Sequence, residues 1–263
     1  MTRLSWSPWT PGSVAAMPGL EAVVGHRGAK AYAPENTLAG LREARRRGVT
    51  WVEVDAMLSA DGIPVLIHDE RLERTTNGVG DVAATSAADL ARLDAGSWFG
   101  KAWAREPVPT LEAALDLARE LGLSVNVEIK PATGHETATG VTVARMVREL
   151  EDGPPILLSS FSLDGLRAAR DTAPEVPRGL LVEALPPDWA DLMQEMGCTS
   201  LHPDQEPLQP DAVRALRAQG VAVLLYTVND PARARAFLDA GASAIITDVP
   251  DVMLDVARSC GRA

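Results

Sequence analysis

The chain has 263 residues, 46% of them hydrophobic and 23% charged, with a formal net charge of -11. That is the composition of a soluble globular protein, long enough for one large core such as an α/β barrel or for two small domains. The acidity argues against a nucleic-acid binder, which needs a basic face, and disfavours an anionic membrane surface, while the longest strongly apolar stretch, Val221 to Tyr226, is far too short to cross a bilayer.

Residues 1–20 carry one Arg and no apolar core, being interrupted by Trp6, Pro8, Trp9 and Pro11, so no secretory signal is read there. Short β-branched runs then alternate with helical stretches. Val23 to His26 precedes a helix from Thr37 to about Arg47, with Leu38, Leu41 and Ala44 on one side. Arg45, Arg46 and Arg47 are the one dense basic cluster; they end this helix, where cations suit the dipole, and read as a solvated helix end. Trp51 to Asp55 is the second strand. A long interruption from Ser59 to Pro109 follows, with an extra extended segment at Pro64–His68 after the Asp61-Gly62 turn, and then a loop-rich stretch containing Asn77-Gly78, Trp98, Phe99 and Trp103.

From there the alternation is regular. A helix spans Leu111–Leu121, with Thr110 as its N-cap and Gly122 closing it, and strand Val125–Ile129 leads to a helix around Glu136–Leu150. Ile156–Ser159 leads to Leu163–Arg170, Gly179–Val182 to Trp189–Met196, and Ser200–His202 to Asp211–Gln219. Val221–Thr227 leads to Pro231–Ala240, whose start is marked by Asn229-Asp230-Pro231, and Ala244–Thr247 leads to Pro250–Arg258. Eight strands alternating with eight helices imply parallel pairing and predict a (β/α)8 TIM barrel; an open doubly wound sheet usually has fewer units. The expectation is one barrel domain over 1–263 with an insertion at about 69–109, after the second strand region. Such an insertion lies on the C-terminal face, where its aromatics either wall the substrate pocket or pack down the insertion itself.

The chemistry sits at strand ends. Glu53 and Asp55 are two apart on one strand and point to one face, and Glu128 and Lys130 do the same on the next barrel strand. Three carboxylates in one barrel mouth repel unless a cation lies between them, and oxygen ligands suit a hard divalent ion, Mg²⁺ or Ca²⁺. Zinc is less attractive, because no His or Cys cluster has ligand spacing. Of four His in the chain, His26 and His68 fall at strand ends facing that mouth, a pair able to divide general base and general acid duties. Arg27 and Lys130 add donors suited to phosphate oxygens. His202, at the end of the sixth barrel strand, is a candidate for lining the pocket, and His135 lies in a loop without a role. Cys198 and Cys260 have no CxxC spacing and read as free thiols. Neither a dinucleotide fingerprint, nor a P-loop, nor a GxSxG elbow is present.

Taken together, His26-Arg27-Gly28, Ala33-Pro34-Glu35-Asn36-Thr37, Glu53-Val54-Asp55, Asp61-Gly62, His68-Asp69, Arg74-Thr75-Thr76-Asn77-Gly78 and Glu128-Ile129-Lys130-Pro131 resemble the signature of the glycerophosphodiester phosphodiesterases, with Tyr226-Thr227-Val228-Asn229 and Ile246-Thr247-Asp248 as its C-terminal landmarks. The resemblance runs in order from about Ala22 to Val256. It looks closest to the cytoplasmic bacterial members associated with glycerol-phosphate uptake, on Pro177-Arg178-Gly179-Leu180-Leu181 and on Gly197-Cys198 before Leu201-His202. It implies a cytoplasmic enzyme of lipid and glycerol metabolism that uses a divalent cation to hydrolyse glycerophosphodiesters to sn-glycerol 3-phosphate and an alcohol. By motif, Glu53, Asp55 and Glu128 would bind the metal, His26 and His68 would be the acid/base pair, and Arg27 and Lys130 would contact phosphate, with His202 and Tyr226 as further substrate-binding positions. Lys30 stands where many members have a small residue and Tyr226 where Trp is more usual, both of which bear on substrate preference.

The expected chemistry is a two-step displacement, with attack by the glycerol 2-hydroxyl on phosphorus and then opening of the cyclic phosphate by water, His26 acting first as base and His68 as acid. The expected partner is a small-molecule substrate, with no nucleic acid and no stable membrane association; a homodimer stays open. Three other readings compete. A lysophospholipid or phosphoinositide hydrolase would need an apolar, membrane-facing insertion. A binding module that has lost catalysis is at odds with the intact histidines, and a carbon-acid enzyme using Lys130 as base leaves both histidines unexplained.

Overall fold

The computed structural model describes residues 19–262; the stretch before Gly19, where no signal is read in the sequence, lies outside the described residues. Eight parallel strands close into a barrel: β1 (Val23–Gly25), β2 (Trp51–Leu58), β4 (Ser124–Ile129), β5 (Ile156–Ser160), β6 (Arg178–Val182), β7 (Ser200–Pro203), β8 (Ala222–Leu225) and β9 (Ala244–Thr247). Closure comes from β1, which pairs with β9 through Val24↔Ile246 and with β2 through Val24↔Trp51. A short β3 (Pro64–Leu66) lies antiparallel on β2. The (β/α)8 expectation is met, with strand and helix bounds moved by a few residues at most. The largest shift is β2, which runs to Leu58 rather than ending at Asp55, because Met57 and Leu58 continue past the pairing with β4 and pair with β3.

The helices are α1 (Leu38–Arg46), the short α2 (Ala87–Leu90), α3 (Leu111–Leu121), α4 (Glu136–Glu149), α5 (Leu163–Thr172), α6 (Trp189–Met196), α7 (Pro210–Ala218), α8 (Pro231–Asp239) and α9 (Pro250–Ser259). Their starts are fixed by the expected side chains. Thr37 accepts from the Gly40 N–H, Thr110 from Ala113 and Asp230 from Ala232 and Arg233, each satisfying donors that a helix start leaves open. Gly122 closes α3 in the left-handed conformation. The arginines ending α1 are not simply solvated. Arg46 and Arg47 both bind Glu43, and Arg47 also reaches Asp251 on α9 while lying 3.5 Å above the Tyr32 ring.

Strand alternation sorts the side chains into layers. Val52, Val54, Val125, Val127 and Ile129 face the helices in the main core. Trp51 faces inward with Val24, Leu157, Leu224 and Ile246 and fills the barrel interior. Its indole N–H donates to the Gly19 carbonyl at 2.8 Å. Two and four residues beyond Trp51 on the same face come Glu53 and Asp55, so the apolar filling gives way to carboxylates toward the C-terminal end.

The insertion has its own core of Met57, Val65, Ile67, Leu72, Val82, Leu90, Ala95 and Val108. Trp98 and Phe99 meet edge to face at 5.6 Å, and Phe99 and Trp103 at 6.4 Å. These aromatics stack on one another and do not line the central cavity; His68, on the connection that leads into the insertion, does. Cys198 and Cys260 are free, and no helix among the described residues is long and apolar enough to cross a membrane.

Candidate active site

A cavity of about 460 Å³ opens at the C-terminal mouth of the barrel. Its polar wall holds His26, Arg27, Glu53, His68, Glu128 and Lys130, and its apolar wall includes Phe161, Leu181, Tyr226 and Ile246. Nearly every residue singled out in the sequence is therefore brought to one place.

The turn after β1 is built by backbone conformation. Arg27 and Gly28 both take positive φ, 47° and 89°, and a Cβ on Gly28 would lie 2.7 Å from the Gly40 backbone, so only glycine fits. This turn aims the Arg27 N–H at Glu53 Oε2, 2.9 Å away, and the Gly28 N–H at the Glu53 carbonyl. Asn36, also left-handed at φ 55°, donates from Nδ2 to Asp55 Oδ2 at 2.7 Å and accepts the Asp55 N–H on Oδ1 at 3.0 Å.

Each histidine is held by a carboxylate. His26 Nδ1 lies 2.6 Å from Asp248 Oδ1, and His68 Nδ1 lies 2.6 Å from Asp69 Oδ1. A carboxylate accepts only, so the proton of each neutral ring sits on Nδ1 and leaves Nε2 for a substrate. His26 Nε2 is 4.0 Å from Glu53 Oε2. Burial lowers the pKa of both rings, more than Asp248 and Asp55 respectively raise them.

Glu53, Asp55 and Glu128 are all buried, and each offers an oxygen within 4.8 Å of the others. Burial and the neighbouring Asp55 charge push Glu53 well above the usual carboxylate range, and push Glu128 up to about 7. Asp55 stays low: burial would raise it, but Arg27, His68 and Lys130 around it prevail. Arg27 Nε is 3.2 Å from Asp55 Oδ2, and Lys130 Nζ is 3.0 Å from Glu128 Oε1 and 3.9 Å from Asp55 Oδ1. Two cations thus serve three carboxylates, and Glu53 Oε1 is buried without a hydrogen-bond partner. A hard divalent cation fits that donor set, three carboxylates with an orphaned oxygen.

Two expected positions come out differently in kind. Tyr226 lines the cavity with its ring, while its hydroxyl donates to the Val182 carbonyl at 3.0 Å. His202 requires a correction. It points into the barrel as alternation dictates, but its ring is fully buried and does not line the cavity, with Nε2 2.8 Å from Ser200 Oγ, in a space left open by Gly179. The sequence reading gave no role to Asp248, Asp69, Asn36 or Phe161. Asp248 and Phe161 each stand one residue beyond a barrel strand, the position that singled out His26, so the same rule finds them. Asn36 lies within a loop and has no such signal.

A model of the glycerophosphoryl diester phosphodiesterase family matches residues 26–252. The chain belongs to this family. It is accordingly an enzyme, a phosphoric diester hydrolase on a TIM barrel. The glycerophosphodiester phosphodiesterase of Caldanaerobacter subterraneus is 32% identical over 240 residues, covering 91% of this chain and 98% of that protein. That of Bacillus subtilis is 30% identical, covering 89% and 86%. Among solved structures, an Oleispira antarctica phosphodiesterase in complex with the product sn-glycerol-3-phosphate superimposes with a TM-score of 0.89 at 37% identity, covering 92% of this chain and 99% of that one.

Proposed function

We propose that this chain hydrolyses glycerophosphodiesters to sn-glycerol 3-phosphate and an alcohol, with His26 and His68 as the acid/base pair and Glu53, Asp55 and Glu128 holding a divalent cation. One observation carries the reading: two histidines, each anchored at Nδ1 by a carboxylate, border the same cavity as a buried three-carboxylate cluster. The Oleispira enzyme's product complex supports the same substrate class.

Oxygen-only ligands suit Mg²⁺ or Ca²⁺ over zinc. When bound, such a cation neutralises charge on phosphate oxygens and lowers the pKa of a hydroxyl. Arg27 and Lys130 orient the phosphate from the polar wall, and the apolar wall around Phe161 and Tyr226 excludes water.

His26 is the first base. Its partner Asp248 is held by the neutral amide of Asn229 at 2.7 Å and keeps its full charge to stabilise an imidazolium, whereas Asp69 shares its charge with Arg74. His26 Nε2 takes the proton of the glycerol 2-hydroxyl as that oxygen bonds to phosphorus. The bond from phosphorus to the departing alcohol breaks, and His68 Nε2 gives that oxygen its proton. Water then attacks the cyclic phosphate, His68 taking a water proton and His26 returning its proton to the 2-oxygen.

The test is release of sn-glycerol 3-phosphate from glycerophosphocholine by metal-stripped protein, with Mg²⁺ and Ca²⁺ added back separately. Metal-restored turnover is expected, with losses of about 10²–10⁴ in His26→Ala and His68→Ala. Absence of turnover with either metal, on this substrate or on glycerophosphoethanolamine, would overturn the reading.

A further inference from the structure

Arg74 lies in the insertion, outside the cavity, with its side chain 42% exposed. The acid/base scheme above uses it only as a charge beside Asp69, yet its guanidinium is engaged on two sides at once. Nε and Nη2 donate to the two oxygens of Asp69 at 2.5 and 3.0 Å, while Nη1 and Nη2 donate to the two oxygens of Glu35 at 3.0 and 2.8 Å. Asp69 Oδ1 is in turn the atom 2.6 Å from His68 Nδ1. Glu35, 4% exposed, also accepts from Arg27 Nη1 at 2.7 Å, and Arg27 Nε lies 3.2 Å from Asp55. A chain of alternating charge therefore runs His68, Asp69, Arg74, Glu35, Arg27, Asp55.

The two histidines differ in what holds them. The His26 N–H donates to the Thr247 carbonyl, so its main chain continues the β1–β9 ladder. His68 stands two residues beyond the end of β3, on a connection into the insertion, and its ring direction depends on Asp69. Asp69 is a partly exposed carboxylate beside it on the same connection, free to rotate unless something fixes both its oxygens. Arg74 supplies that fixing, and Glu35, from the loop between β1 and α1, anchors Arg74 to the barrel. A planar fork of five donors can grip two carboxylates in one plane; an ammonium cannot.

We propose that Arg74 is a positioning residue for His68, fixing through Asp69 the ring orientation that presents His68 Nε2 to the substrate. The hydrogen bonds from Arg74 hold Asp69 well below the usual carboxylate range, and together with Arg27 they keep Glu35 low against its burial. The assignment rests on the acid/base role proposed for His68.

The test is a double-mutant cycle on the full chain, assayed with glycerophosphocholine. Arg74→Gln and Asp69→Asn are each expected to lower kcat by about 10- to 100-fold, the range for partners that orient an active-site histidine. KM should stay within about twofold, because neither residue meets the substrate. The double variant should lose no more than the worse single, since both act through one ring. Arg74→Lys should recover only part of the loss. Losses that multiply in the double variant, or a raised KM with kcat intact, would overturn the proposal. Should Arg74→Gln melt below the assay temperature, the cycle of Arg74→Lys with Asp69→Asn reads the same coupling. Failure of the wild-type chain to hydrolyse the substrate would sink the proposed function; wild-type turnover with a multiplicative cycle would sink only the role of Arg74.

Discussion

His26 Nδ1 and Asp248 Oδ1 lie 2.6 Å apart, so the residues that follow the first and last barrel strands meet across the closing seam. Asn229 holds the other Asp248 oxygen at 2.7 Å and accepts the Asp248 N–H at 2.9 Å, which leaves the carboxylate one orientation. Replacing Asp248 by Asn keeps the shape but lets the ring adopt the opposite tautomer, with the proton on the nitrogen that must accept one. The expected result is a fall in kcat of about 10²-fold or more, by analogy with other acid–base dyads stripped of their carboxylate. Steady-state kinetics on the folded variant checks it; a loss below about threefold would dismiss Asp248 as an orienting group.

Removing metal should make stability depend on pH in a particular direction. Burial and Asp55 push Glu128 up to about 7, against 4.5 for an unhindered glutamate, and push Glu53 up as well. Between those two values the folded chain holds protons on this cluster that the unfolded chain has released, so the two glutamates contribute stability that is lost as pH rises from about 4.5 through about 7. His26, His68 and His202, whose pKa values burial lowers from 6.5, contribute in the opposite direction below that value, so the glutamate part is read as the difference between the wild type and Glu128→Gln. Protons and a cation compete for the same oxygens, so added Mg²⁺ or Ca²⁺ should raise the melting temperature more at pH 8 than at pH 5. Thermal melts of metal-stripped protein across that range, with and without each ion, measure both effects. A Glu128→Gln profile parallel to that of the wild type would mean that the three carboxylates are not forced together.

Lys130 is the cation most exposed to competition between roles. Its Nζ is 3.0 Å from Glu128 Oε1 and 3.9 Å from Asp55 Oδ1, and it also lies 5.9 Å from the centre of the Phe161 ring, which follows the neighbouring strand. A charge-assisted bond to phosphate contributes about 1.5–3 kcal/mol, so Lys130→Met should lower kcat/KM by about 10- to 100-fold. Titration with inorganic phosphate, monitored by calorimetry, should show weaker binding in the same variant. Unchanged phosphate affinity would confine Lys130 to pairing with Glu128.

The barrel was legible because its signals are local and repeated: capping side chains at Thr37, Thr110 and Asp230, and inward pairs such as Glu53 with Asp55, follow from periods of 3.6 and 2. The candidate site positions at strand ends were legible for the same reason. What escaped was set by groups distant in sequence. Asp248 is separated from His26 by 222 positions and Arg74 from Glu35 by 39, and neither spacing has a period. The insertion aromatics could not be assigned to wall or core from sequence, since that depends on how Trp98, Phe99 and Trp103 stack on one another. His202 was misplaced for a third reason: alternation gives the face a side chain takes and not the depth to which its ring sinks.

That depth is controlled by Gly179. In the register of β6 with β7, Gly179 lies opposite Ser200, and a Cβ added there would stand 2.4 Å from His202 Nε2, 2.6 Å from its Cε1 and 2.9 Å from Ser200 Oγ. The ring is fully buried and stands in the way of that Cβ, so Gly179→Ala should destabilise the fold by about 1–3 kcal/mol, the usual range for overpacking. His202→Ala removes a buried ring and leaves Ser200 Oγ without its partner, and should cost about 2 kcal/mol or more. Because the clash needs both groups, the double variant should be more stable than the sum of the two losses predicts. Urea unfolding of the four proteins gives the coupling directly. Additive losses would show that the glycine and the histidine do not share this space, and a raised KM in His202→Ala would return the ring to the substrate site.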